Sequence, residues 1–91
     1  MDELDAERIL DVARLNVDGI ALSRAVTRCD FDDARSYAGR IVARAGDRGF
    51  VAIAQAAADV QDRLGHSGDR IRQGLGAALL TLASSMDLRD D

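Results

Sequence analysis

The sequence predicts an all-α protein, an antiparallel up-down four-helix bundle, and three observations carry that prediction. Proline is absent and aromatic residues are only 3% of the chain, while alanine and arginine are abundant, a balance that favours helix. Apolar residues recur at three- and four-residue intervals in four segments, which is the spacing of one buried helix face. Short stretches bearing glycine or aspartate separate the segments, as between neighbouring helices of a bundle. No segment alternates as a half-buried strand would. The absence of an internal repeat or low-complexity linker makes residues 1–91 read as one helical domain.

The first helix is expected over about residues 4–29. Val12, Leu15, Gly19, Leu22, Val26 and Cys29 form one apolar seam, and Ile9, Ile20 and Ala25 widen it. Asn16-Val17-Asp18-Gly19 clusters turn formers, so the helix either kinks at 16–19 or divides into two there. The second helix spans about 32–45. Asp30 is placed to cap it, Asp32 and Asp33 put negative charge in its first turn, and Phe31, Ala34, Ala38, Ile41 and Ala45 make its stripe. Tyr37 lies on the core side. Gly46 and Gly49 supply the positive φ that ends this helix.

The third helix is expected over about 47–64, with Phe50, Ile53, Ala54, Ala57, Val60 and Leu64 inward and an Asp59–Arg63 pair outside. Gly65-His66-Ser67-Gly68 breaks the pattern. The fourth helix then runs about 69–86, capped by Ser67, Gly68 or Asp69, with Ile71, Leu75, Ala78, Leu79, Leu82 and Met86 inward. Gly74 and Gly76 weaken it locally, and Asp87–Asp91 should fray.

Charge and composition exclude several classes. Net charge is −4, every basic residue is arginine, and the pI near 4.8 argues against a nucleic-acid binder. No apolar run approaches the roughly 20 residues that span a bilayer, and the acidic start is unlike a signal peptide, so no membrane and a cytoplasmic location are expected. Cys29 has no partner cysteine and reads as a small buried hydrophobe on the first seam, with a free reactive thiol as the alternative.

Nothing in the sequence assembles an enzyme active site. His66 is the sole histidine and stands in a Gly-Ser loop without a second soft ligand, so neither metal nor cofactor is expected. The adjacent acids Asp2/Glu3, Asp32/Asp33 and Asp90/Asp91 point about 100° apart on a helix and do not converge as acid and base would. Serines 23, 36, 67, 84 and 85 lack a histidine on the same face. Gly74-Leu75-Gly76 lies within an apolar pattern and is no phosphate loop.

The second helix carries the candidate site. Numbered at about 100° per residue, it has a second face bearing Asp32, Arg35, Gly39, Ala43 and Gly46, with Val42 at its edge. A glycine in mid-helix costs roughly 1 kcal/mol against alanine, and close approach of a partner is one reason to keep it. Arg35, Arg40 and Arg44 surround Gly39, as arginines often do at interfaces; an ordinary solvated face is the plainer reading.

The run Gly39-Arg40-Ile41-Val42-Ala43-Arg44-Ala45-Gly46-Asp47-Arg48-Gly49-Phe50 resembles the central motif of histidine phosphotransfer (HPt) domains: His-x-Leu-Lys-Gly, a small-residue stretch, then Gly-Ala or Gly-Phe. Ile41 takes the leucine, Ala43 the glycine and Gly49-Phe50 the closing pair. The segment from Leu22-x-x-Ala25 through Asp30 to Ala34 resembles the lead into the family's histidine, and Val51 to Leu64 the helix that follows it. Two positions depart from the pattern: Gly39 stands where the phospho-acceptor histidine belongs, and Val42 where the lysine does.

The resemblance implies a four-helix bundle of two-component phosphorelay signalling that docks a response-regulator receiver domain or a histidine kinase. With glycine at the acceptor position it implies docking without phosphate transfer. Carry-over puts Gly39, Val42 and Ala43 at the centre of the patch, to which helix geometry adds Asp32, Arg35, Arg40 and Gly46. Two alternatives stand beside this reading. One is a self-associating helical adaptor, with a homodimer formed through alanine- and glycine-rich faces. The other is a phosphotransfer protein whose histidine was replaced.

Overall fold

The computed structural model describes residues 3–86, and four helices account for most of them: α1 (Glu3–Thr27), α2 (Phe31–Asp47), α3 (Val51–Leu64) and α4 (Leu75–Ser85). Among the described residues there is no strand, and no helix is long and apolar enough to cross a membrane. The fraying expected of Asp87–Asp91 and the acids Asp2, Asp90 and Asp91 lie outside the described residues.

α1 is continuous for 25 residues and runs through Asn16–Gly19 without a break. Gly19 and Asp18 are buried on its inner side, where the acid meets arginines of α2 instead of opening a turn. Leu15, Leu22 and Ala25 are fully buried, with Val12 and Val26 partly so. Ile9 and Ile20 do not widen this seam. Both are exposed, on the side of α1 turned away from the core.

Cys29 is exposed too, and it lies beyond the helix, at φ 60°. There the Asp30 N–H donates to Ala25 O at 2.8 Å and the Cys29 N–H to Val26 O at 2.9 Å. This is the paired bonding that closes a helix with one left-handed residue. Helical spacing had put Cys29 on the apolar seam, but the chain leaves the helix two residues before it gets there.

The same turn recurs after α2. The Phe50 N–H donates to Ala45 O and the Gly49 N–H to Gly46 O, with Gly49 at φ 76°. Gly49 alone turns the chain; Gly46 stays helical. The turn occupies residues 48–50, so α3 starts at Val51 and not at residue 47.

α2 is capped as expected, Asp30 Oδ1 accepting from the Asp33 N–H at 3.2 Å. Its inner face is nearly all alanine: Ala34, Ala38 and Ala45 are fully buried with Ile41. Small side chains let the neighbouring helices come close. α2 packs against both α1 and α3, α3 packs against α4, and α1 meets α4 only slightly. The core consists of these residues with Ile53, Ala56, Ala57, Val60 and Leu64 of α3, and with Leu75, Ala78, Leu82 and Met86 around α4.

The fourth helix begins six residues later than the apolar spacing predicts. Gly74 adopts a left-handed conformation (φ 88°) immediately before Leu75, and no helix runs through it. Residues 65–74 instead hang on the end of α3. The Arg72 N–H donates to Arg63 O at 2.9 Å, and the Arg63 guanidinium donates to Gln73 O. Asp69 caps no helix; its carboxylate accepts from the His66 N–H at 2.9 Å. Ile71 packs against the core from this loop. The Asp59–Arg63 pair forms at 3.3 Å.

Candidate docking face

Asp30 and the two acids behind it start α2 at a fixed residue, and the buried alanine stripe fixes its rotation, so the outward positions follow. Gly39, Ala43 and Gly46 share that outward side. Gly39 is half-buried, while Ala43 and Gly46 are exposed. A Cβ at residue 39 would meet only Gln61 Nε2 of α3, at 3.6 Å, and one at residue 46 would meet nothing within 4 Å. The three make a shallow strip with room above it.

The polar residues assigned to this face divide between its two edges. Arg35 turns towards α3. Its Nε and Nη2 donate to Leu64 O at 3.2 and 3.1 Å, and Nε also to Gly65 O at 3.2 Å. Its Nη1 donates to Asp32 Oδ1 at 2.9 Å, and that oxygen also accepts from Ser67 Oγ at 3.1 Å. Arg35 is therefore a clamp on the last carbonyls of α3, which a helix end leaves without partners. It is not free to meet another protein, and Asp32 is partly engaged in holding it. Val42 is half-buried and packs against the core, so it borders the strip without forming it.

Arg40 turns the other way. Its guanidinium lies over the Tyr37 ring, 5.6 Å from the centroid, and 4.0 Å from Asp18 Oδ1. Arg44 reaches Asp18 Oδ2 at 3.8 Å, and Arg48 Nε reaches Asp11 Oδ2 at 3.3 Å. Asp11 and Asp18 are both buried. Buried carboxylates need such partners, because an unpaired charge there is costly. A groove lined by Arg14, Arg40, Ala43 and Arg44 runs along this edge. Asp11 has no mark in the local spacing, and Asp18 reads there only as a turn former. Their seven-residue separation on the inner side of α1, facing Arg44 and Arg48 four apart on α2, is the signal that identifies them.

His66 has a 99% exposed side chain, 3.7 Å from Asp69 Oδ2, with nothing to hold the ring in one orientation. Among the described residues no group of three or more His, Cys, Asp or Glu side chains is arranged to hold a metal ion. What the outer side of α2 offers is a flat, small-residue surface with an arginine edge. Set against protein-family models, curated proteins and solved structures, the chain matches none of them.

Proposed function

We propose that this chain is a degenerate HPt-like protein: an antiparallel up-down bundle that docks a receiver domain or a histidine kinase on the outer side of α2 and passes no phosphate. The observation that carries the reading is the setting of Gly39. The residue aligned with the family's acceptor histidine sits in mid-α2, on the outward side, with space above its Cα. Glycine offers no nucleophile, so the surface for recognition is kept while the transferring group is missing. The docking strip is Gly39, Ala43 and Gly46, flanked by Arg40. Arg35 and Val42 act in the fold and leave the patch. The contacts at the helix ends support the antiparallel arrangement: Arg28 of the first turn lies 3.8 Å from Asp33 at the start of α2, and Arg48 at its end meets Asp11 early in α1.

Incubation with phosphorylated receiver domains or an autophosphorylated histidine kinase tests both halves of the proposal. A complex with no label on this protein is expected. Label on the wild-type protein would overturn the no-transfer claim, and absence of any complex would overturn docking. Gly39→His, whose Cβ would meet Gln61 Nε2 at an ordinary 3.6 Å, is expected to fold and to accept phosphate from a partner that binds.

A further inference from the structure

α1 has a second apolar side that its own bundle leaves uncovered. Ile9, Leu10, Val17 and Ile20 are 57%, 54%, 65% and 48% exposed. They are not scattered. At about 100° per residue they fall, with Ala6 and Ala13, within a stripe roughly 100° wide that is centred opposite Leu15 and Leu22. Ala6, Leu10, Ala13, Val17, Ile20 and Arg24 follow alternating steps of four and three, the spacing of a coiled-coil seam. A helix apolar on two opposite sides is one built to be covered on both. α2 covers the inner side, and α4 barely reaches α1.

We infer that the outward side of α1 is a self-association surface, occupied by α1 of a second copy in antiparallel orientation about a two-fold axis. The charges along the helix select this occupant and this direction. The sequence opening α1, Glu3 to Arg8, carries three acids and one arginine, while Arg24 stands in its last turn and Arg28, which also reaches Asp33, just beyond it. A parallel pair sets acid against acid and arginine against arginine. An antiparallel pair sets each acidic end against an arginine end. The same reversal brings Leu10 opposite Ile20 and Ala13 opposite Val17, large against large at the flanks and small against large at the centre, in a register where Ala6 meets Arg24. The surface is self-complementary, as a two-fold interface must be. Gly39 itself lies on the α3 side of α2, while the arginine edge of the docking strip borders this seam, Arg44 lining a groove with Leu10, Ala13 and Val17.

The seam is a single helix per copy, about 37 Å long, so the dimer is expected to be concentration-dependent. Sedimentation over a concentration series should show a monomer–dimer equilibrium. Val17→Glu should weaken it about tenfold or more while leaving the helical circular dichroism unchanged, since Val17 is already exposed in the monomer. Direction is read in a Cys29→Ser background. Ala6→Cys mixed with Arg24→Cys should form the mixed disulfide under mild oxidation, whereas Ala6→Cys alone should not pair with itself across about 27 Å. A monomer at every concentration overturns the proposal, as does a dimer indifferent to Val17→Glu. Self-pairing of Ala6→Cys in preference to the mixed disulfide overturns the antiparallel arrangement.

Discussion

Arg35 illustrates how a residue's role depends on partners far along the chain. On a helical wheel it belongs to the outer side of α2, beside Gly39. In the folded protein it bends over that edge and ties α2 to the carbonyls of Leu64 and Gly65, 29 and 30 residues away. No local spacing encodes such a bond. Because the guanidinium is largely buried and bonds two terminal carbonyls at once, Arg35→Ala is expected to lower unfolding free energy by about 1–3 kcal/mol in a urea titration. Arg35→Lys should recover little of the loss, since an ammonium lacks the planar fork. A neutral Arg35→Ala would return this residue to the surface role the wheel assigns it. Cys29 makes the opposite case: a side chain expected inside is exposed, at a left-handed position that L residues occupy at a cost of about 1–2 kcal/mol. Cys29→Gly is therefore expected to raise the thermal midpoint, by roughly 1 kcal/mol in stability, and a loss would show that the thiol packs against something.

Two turns of one design join the first three helices, and comparing them shows which parts of an element its sequence encodes. Gly49 advertises its turn because glycine is the ordinary left-handed residue; Cys29 occupies the same place with no such mark. α2 was readable almost to the residue, because Asp30 caps it and its alanine stripe is unbroken. The start of α4 was not. Ile71 and Leu75 are four apart, and the periodicity carries straight across Gly74, where the backbone does not. Substitution separates these glycines. Gly74→Ala should destabilise by about 1–3 kcal/mol, since its Cβ would also come within 2.7 Å of Arg63 Nη1. Gly76→Ala, inside α4 with nothing within 4 Å, should be neutral or stabilising by up to about 1 kcal/mol. Equal effects in chemical denaturation would mean that the helix start is not set at Gly74. For α1, periodicity showed apolar residues on two sides but had no means of choosing between them; Ile9 and Ile20 went to the wrong one. The choice is made by α2, through Asp11 and Asp18 and their arginines.

Across the whole molecule the helices stand in sequence, each packed chiefly on the next, with extents of 45 × 28 × 18 Å and a radius of gyration of 13.1 Å. A compact chain of this length has a radius near 12 Å, so the arrangement is slightly extended. α2 packs on α1 and α3, and among the described residues no other helix covers its outer side. The two proposed surfaces carry different chemistry: small residues with an arginine edge on the outer side of α2, aliphatic residues with opposed charged ends on the outer side of α1. Docking is proposed on the first of them. The most direct measurement is a backbone amide NMR titration of the labelled protein with phosphorylated receiver domains. The expected result is shifts concentrated at Gly39, Ala43 and Gly46, with the α4 amides unmoved and no phosphoryl group acquired. Shifts centred on α4 or the 65–74 loop, with α2 silent, would contradict it.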